Sequence, residues 1–256
     1  MKLQNRKVVT VALSPMMQEY VKTKEEYKDC ILFYRLGDFY EMFFEDALTV
    51  TKELEITLTG KDCGMEERAP MCGIPYHSCE AYIARLVAKG HKVAICEQVE
   101  DPATAKGIVK RDIVRIITPG TVIEDNMLEE GLNNYLLAVS VVEGIVGLCF
   151  TDASTGECFV IELSPDKKEQ RIIDQIGRFK PSEILISESA LKSFKAVKTF
   201  FDETYEGTVT VRREETLSPV GTADLVLKHF GVISTENLNI AEGSAVAGAL
   251  GGVITY

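Results

Sequence analysis

Residues 135–163 read YLLAVSVVEGIVGLCFTDASTGECFVIEL. Three apolar runs, at 135–142, 145–151 and 157–163, are interrupted only by short turn-forming stretches. Glu143-Gly144 is a hairpin signal, and Ser154-Thr155-Gly156 supplies small polar residues and a glycine for a longer turn. Strands joined in this way pair with their chain neighbours, so the stretch predicts an antiparallel meander. Downstream, Ile172, Ile173, Ile176 and Phe179 recur at helical spacing. Pro181 ends that pattern, residues 184–186 read as a buried strand, and further helices are expected around 225–230 and at the end of the chain.

Three hairpin strands followed by alternating helix and strand is the order of a ribonuclease-H-like sheet. Between residues 124 and 134, acidic and amide residues with Gly131 break the apolar pattern, giving a first domain at 1–128 and a second at 129–256. In the first, Ser14-Pro15 opens a helix. Met17, Tyr20, Val21, Lys24 and Tyr27 follow at helical spacing. A strand at 31–36 stops at Gly37-Asp38, a turn signal. A helix at 46–54, a strand at 56–59 and a glycine- and charge-rich loop at 60–68 come next. Ser78 caps a helix with the stripe Cys79, Tyr82, Ile83, Leu86 and Val87, ended by Gly90. Strands at 92–98 and 113–118 complete a mixed α/β unit. The fold class is α/β throughout.

Totals narrow the function. The 256 residues carry a net charge of −11. Proteins that hold nucleic acid mainly by neutralising phosphate show a basic footprint. Up to Glu130, 17 basic residues face 22 acidic ones, and after it 11 face 17, so neither half is a basic module. Any contact with DNA must therefore rest on a small specialised site. The seven cysteines include no CxxC pair and are odd in number, which reads as reduced thiols in a cytoplasmic protein. Residues 1–13 are too interrupted for a signal peptide, and 245–256 too short and glycine-rich to span a bilayer.

Gly37-Asp38-Phe39-Tyr40-Glu41 lies just past the first strand, where an aromatic can project from a rigid scaffold. An apolar wedge between base steps unstacks them, at least cost where pairing is already defective. Glu41 points to the same side as Phe39 if the segment is extended. A carboxylate beside DNA becomes sensible if it hydrogen-bonds a base edge, as the protonated acid favoured by desolvation and surrounding negative charge. On residue types alone, core packing is the better account of Phe39, Tyr40, Phe43 and Phe44. Residues 70–78 (PMCGIPYHS) read as a stiff irregular connector in which Met71 can lie against a flat base or sugar. Cys63, Cys72, His77 and Cys79 match no zinc spacing. The acids of Cys96-Glu97-Gln98-Val99-Glu100-Asp101-Pro102 are explained by a strand end running into solvent.

Taken in order, GDFYEMF at 37–43, PMCGIPYHS at 70–78, GHKVAICEQVEDP at 90–102, KRDIVRIITPGT at 110–121, NYLLAV at 134–139 and FTDASTGE at 150–157 resemble one family. It is the N-terminal part of bacterial MutS, the DNA mismatch-recognition family, and the resemblance runs from about Ser14 onward. It reverses the preference for a buried Phe39. It implies a mismatch-binding domain in which Phe39 stacks on a mispaired base and Glu41 hydrogen-bonds it, with Met71 near the duplex. Arg35, Lys61 and Arg68 are placed as backbone contacts by location. The second domain is implied to be a ribonuclease-H-like connector that relays to the ATPase and helps recruit MutL.

The family continues into core, lever, clamp and ATPase domains. No G-x-x-x-x-G-K-[ST] string occurs in the 256 residues, so no P-loop is present to hold nucleotide. The resemblance thus implies a piece of a longer protein: no catalytic, cofactor or metal site here, with ATP, Mg2+ and homodimer formation belonging to the full length. Mismatched duplex DNA and MutL are the implied partners, and no membrane is involved. Two other readings stand beside it. One is a ribonuclease-H-like metal-dependent nuclease using Asp152, with Asp174 and Glu183 as the nearest further acids. The other is a fragment serving only protein interaction. A turn-capping Asp152 is the better account of the first.

Overall fold

The computed structural model describes residues 13–100, 107 and 109–256. It divides into two compact units, 1–118 and 119–256. Asp101 and Pro102 of the acidic string lie outside the described residues, as do residues 1–12.

In the first unit the chain runs α1 (Pro15–Glu26), β1 (Cys30–Leu36), β2 (Phe39–Phe43), α2 (Phe44–Leu54), β3 (Thr59–Lys61), β4 (Ala69–Pro75), α3 (Cys79–Ala88), β5 (Lys92–Gln98) and β6 (Arg111–Ile117). The sheet order is β3-β4-β2-β1-β5-β6. β1 pairs antiparallel with β2 and parallel with β5. The β1–β2 hairpin turns on Gly37, whose φ of 57° is a left-handed conformation that glycine adopts without a Cβ clash. Alternation along the strands then sorts the core. Leu32, Tyr34 and Phe43 point to one face, where Met17 and Tyr20 of α1 cover them. The Tyr20 ring meets Tyr34 and Phe43 edge-on at 5.3 and 4.8 Å. Buried Asp46 ties three elements, accepting from Leu32 N at 3.0 Å and pairing with Lys24 at 2.9 Å.

Two expectations are corrected here. Residues 69–75 form a strand, not an irregular connector, pairing with β2 on one side and with three-residue β3 on the other. Pro70 and Pro75 sit near its two ends, where a fixed φ is tolerated and a missing N–H costs little. Of the strand expected at 56–59, only Thr59 is extended into a ladder, because pairing with β4 begins there.

The second unit contains β7 (Tyr135–Val142), β8 (Ile145–Asp152), β9 (Cys158–Leu163), α4 (Lys168–Phe179), β10 (Glu183–Ser187), α5 (Glu188–Ser193), α6 (Lys195–Glu203), β11 (Thr208–Arg212), α7 (Pro219–Phe230) and α8 (Ala245–Ile254). Its sheet order is β11-β10-β7-β8-β9, with β7–β8–β9 antiparallel and β10 and β11 parallel to β7. This is the ribonuclease-H-like arrangement. Leu137, Val139, Ile184 and Ile186 face α4, α5 and α6, while Leu136, Ala138 and Leu185 face α7 and α8. A sheet covered on both sides reads as continuous apolar runs.

The division falls ten residues before the sequence-read boundary at 128/129. Residues 119–134 are tied to the second unit, since Gly120 N donates to Glu183 Oε2 at 3.1 Å and Asn134 Nδ2 to the Pro119 carbonyl at 2.8 Å. No helix among the described residues is long and apolar enough to cross a membrane.

Candidate nucleic-acid interface

β2 carries a gradient of exposure along one face. Phe39 is 46% exposed, Glu41 is half-buried and Phe43 is 1% exposed, because the cover supplied by α1 reaches Phe43 and stops short of Phe39. Tyr40 and Met42 point the other way and are buried. Gly73 lies opposite Glu41 on β4. A Cβ there would stand 3.7 Å from both Phe39 Cδ1 and Glu41 Cγ, so the two side chains flank one exposed, side-chain-free patch of strand. The arrangement is an exposed aromatic ring and a carboxylate side by side on rigid backbone. An aromatic so placed can stack on a flat apolar partner, and the carboxylate beside it can hydrogen-bond that partner's edge.

Lys61 on β3 reaches the same face, and its Nζ meets Glu41 Oε2 at 2.5 Å. Met71, opposite Phe43, is half-buried and packs against the α1-side core. Arg35 is on the other face, since it pairs with buried Tyr40 rather than with Phe39. There its guanidinium lies 3.6 Å over the Tyr76 ring, bonds Glu97 at 3.2 Å and donates through Nε to the Gly37 carbonyl at 2.5 Å. The Tyr40 hydroxyl also donates to Glu97. Burial and that bond push the Tyr40 phenol well above its ordinary range. Arg35 thus braces the hairpin that presents Phe39. Arg68 is exposed at the β3–β4 loop, its Cβ 3.1 Å from where a Gly60 side chain would begin, which sets it on the face opposite Lys61. Structure therefore brings together Phe39, Glu41 and Lys61, with Met71 at the buried end, and separates Arg35 and Arg68 from them.

The family model for MutS domain I matches residues 14–126, and that for MutS domain II matches residues 134–256. The chain belongs to the MutS family. The DNA mismatch repair protein MutS of Lachnoclostridium phytofermentans is 49% identical over 255 residues, covering 95% of this chain and 26% of that protein. MutS of Caldanaerobacter subterraneus subsp. tengcongensis is 46% identical over 249 residues, 97% of this chain and 28% of that protein. MutS of Acetivibrio thermocellus is 57% identical over 176 residues, 69% and 20% respectively. The chain thus spans about a quarter of the length of the first two.

Two participants in this face escaped the reading of the residues. Gly73 was visible only as part of a stiff segment, and its role as open floor needs the β2–β4 register. Arg111 stacks its guanidinium 5.0 Å from the Tyr34 ring and donates to the Arg35 carbonyl at 2.8 Å, on the Phe39 side of the sheet. Its signal was the basic pair Lys110-Arg111 opening a strand.

The acids of the nuclease reading do not converge. Asp152 is buried and accepts from Ser154 N at 2.9 Å, Ser154 Oγ at 2.6 Å and Asn134 N at 3.0 Å, as a turn cap does. It pairs with Tyr135, whereas Glu183 pairs with the next residue, Leu136, so the two carboxyls face opposite sides of the sheet. Asp174 is exposed and held by Gln170 at 2.9 Å. In the first unit, Cys63 packs in the α1-side core while Cys72 points to the far face toward the Ala47 carbonyl. Among the described residues no cluster of three or more His, Cys, Asp or Glu side chains is suited to a metal.

Proposed function

We propose that the first unit recognises mismatched duplex DNA, with Phe39 stacking on a mispaired base and Glu41 hydrogen-bonding its edge. One observation carries the reading: a half-exposed phenylalanine on rigid strand, flanked by a carboxylate across a side-chain-free patch. An apolar ring of this size normally gains by burial. Its exposure in a MutS-family chain supports a partner ring as its cover. Lys61 neutralises Glu41 in the free protein. In the complex a backbone phosphate draws Lys61 away, which frees Glu41 to hydrogen-bond the base edge. Met71 contributes at the edge of the contact, and Arg35 acts by bracing the hairpin rather than by gripping phosphate. Arg68 is a cation for the flanking backbone.

The second unit, by its family, serves as the connector that relays to the ATPase and meets MutL in the full-length protein. ATP, Mg2+ and homodimer formation belong to that longer protein.

Phe39→Ala tests the centre of this reading. A base–aromatic stack is worth about 1–3 kcal/mol, so the variant should lose roughly 5- to 150-fold in preference for mismatched over matched duplex. A core phenylalanine would cost about 3–5 kcal/mol of stability on truncation. With the ring half-exposed, the thermal unfolding midpoint should barely move. Intact discrimination in a folded variant would overturn the assignment of Phe39.

A further inference from the structure

The seven cysteines all fall among the described residues and differ in access: five are buried, Cys79 is half-buried and Cys158 is exposed. Cys158 is the first residue of edge strand β9, two residues after Gly156, whose φ is 76°. The β8–β9 register sets Cys158 opposite Thr151 and Val160 opposite Cys149. Cys149, Thr151 and Cys158 therefore share one face, with the two cysteines diagonal to each other. Their Sγ atoms stand 3.4 Å apart, and the Thr151 hydroxyl donates to Cys158 Sγ at 3.5 Å. The proposed DNA contact, in the other unit, makes no use of this group.

We propose that Cys149 and Cys158 form a redox-active dithiol, in which hydrogen peroxide oxidises Cys158 and Cys149 then closes a reversible disulfide. Bonded sulfurs are about 2.04 Å apart, so the present gap must close by about 1.4 Å. The movement falls on Cys158, at the free edge of the sheet beside a glycine turn. Cys149 stays packed with Leu136, Ala138 and Val246. Access also divides the roles, because only the exposed thiol meets peroxide first. The Cys149 thiol donating to Cys158 lowers the pKa of Cys158 against the opposing effect of burial, with help from Thr151. The same contact, together with burial, raises the pKa of Cys149. Cys158 is thus the thiolate nucleophile and Cys149 the resolving thiol.

The chemistry balances. Cys158 thiolate attacks one peroxide oxygen, the O–O bond breaks, and hydroxide leaves a sulfenic acid on Cys158. Cys149 sulfur then attacks Cys158 sulfur as its S–O bond breaks. The Cys149 proton and the sulfenic hydroxyl depart as water. Two thiols are oxidised by two electrons while one peroxide becomes two waters. Dithiothreitol reverses the bridge by thiol exchange.

The test treats the 256-residue chain with hydrogen peroxide, blocks remaining thiols with iodoacetamide and digests it. Trypsin leaves both cysteines in one peptide, residues 116–167, which should be unalkylated and lighter by two hydrogens. Reduction before blocking should restore alkylation of both. A glutamate-specific protease cuts after Glu157, between the cysteines, so the two resulting pieces should stay linked until reduced. In Cys149→Ser, dimedone should trap a sulfenic acid at Cys158. In Cys158→Ser, oxidation of Cys149 should slow by about tenfold or more, since a buried protonated thiol is a poor nucleophile. The wild-type peptide decides the matter without either variant. Both cysteines found alkylated after peroxide would overturn the proposal. So would Cys158 carried to sulfinic acid with Cys149 free, or Cys158 bridged to any other cysteine.

Discussion

Glu41 and Lys61 form an ion pair at the proposed contact, at 2.5 Å with side chains 15% and 32% exposed. Partly exposed pairs contribute about 0–1 kcal/mol, so Lys61→Ala should shift thermal stability little. Its consequence belongs to binding: Glu41 then faces phosphate without a cation, and affinity for matched duplex should fall. Glu41→Gln should keep discrimination, because an amide still donates to a base acceptor, while Glu41→Ala should lose it. Tighter binding of matched duplex by both Glu41 variants would show instead that the carboxylate acts by repulsion. At this scale the sequence was informative about Phe39 and Glu41, since a turn followed by an extended segment puts residues two apart on one side. It could not say which face Arg35 takes, because that depends on the pairing of the hairpin.

Elements meet in the second unit through glycine. α8 lies so close to β8 that a Cβ on Gly147 would stand 2.1 Å from the Ala245 carbonyl carbon, a backbone atom that no rotamer change can move. Gly147→Ala should therefore lower stability by about 1–3 kcal/mol or more in a denaturant titration, as overpacking does. Gly177, on α4, has nothing within 4 Å of its missing Cβ. Gly177→Ala should raise stability by roughly 0.5–1 kcal/mol through helix propensity alone. Opposite shifts test the packing directly.

The β8–β9 turn gives a pH dependence. Burial opposes the Asp152 charge, but hydrogen bonds from Ser154, Asn134 and Thr155 outweigh it and hold the carboxyl below its ordinary value. A folded value below the unfolded one stabilises fully above about pH 3.9, and that stabilisation is lost as pH falls through the folded value. Asp152→Asn should be less stable than wild type at pH 7 and lose less on acidification. An identical acid response in the two proteins would remove Asp152 from that role.

Over the whole molecule the charge is divided unevenly. Residues 1–118 hold 17 basic and 18 acidic residues, whereas 119–256 hold 11 and 21. Counted to Glu130 instead, the two parts look alike, because Glu124, Asp125, Glu129 and Glu130 then fall in the first. The full 256 residues should bind duplex with a Kd of micromolar or weaker at physiological salt, as for non-specific binding. Residues 1–118 alone should bind more tightly at low salt, and the difference should fade as salt screens the acidic unit. Nanomolar binding by the 256 residues at physiological salt would contradict the first, and equal affinity of the two at low salt the second. Each unit has its own core, so each should show a cooperative unfolding transition when produced alone.

The meander at 135–163, the helix around Ile172–Ile176 and the strand at 92–98 were determined by the sequence itself, because turn residues and apolar period act over a few neighbouring positions. The exposed setting of Phe39 was not: residue types argue for burial, and only the resemblance of the surrounding motif pointed the other way. Tertiary structure alone decided that residues 69–75 are a strand, since two prolines argue locally against one and only the β2 and β3 ladders overcome them. It alone put Gly73 beneath Phe39 and Glu41, set Arg35 and Phe39 on opposite faces, and brought Cys149 within 3.4 Å of Cys158. Each of these depends on register between strands, which is set by the packing of both faces at once and leaves no mark in any short window of sequence.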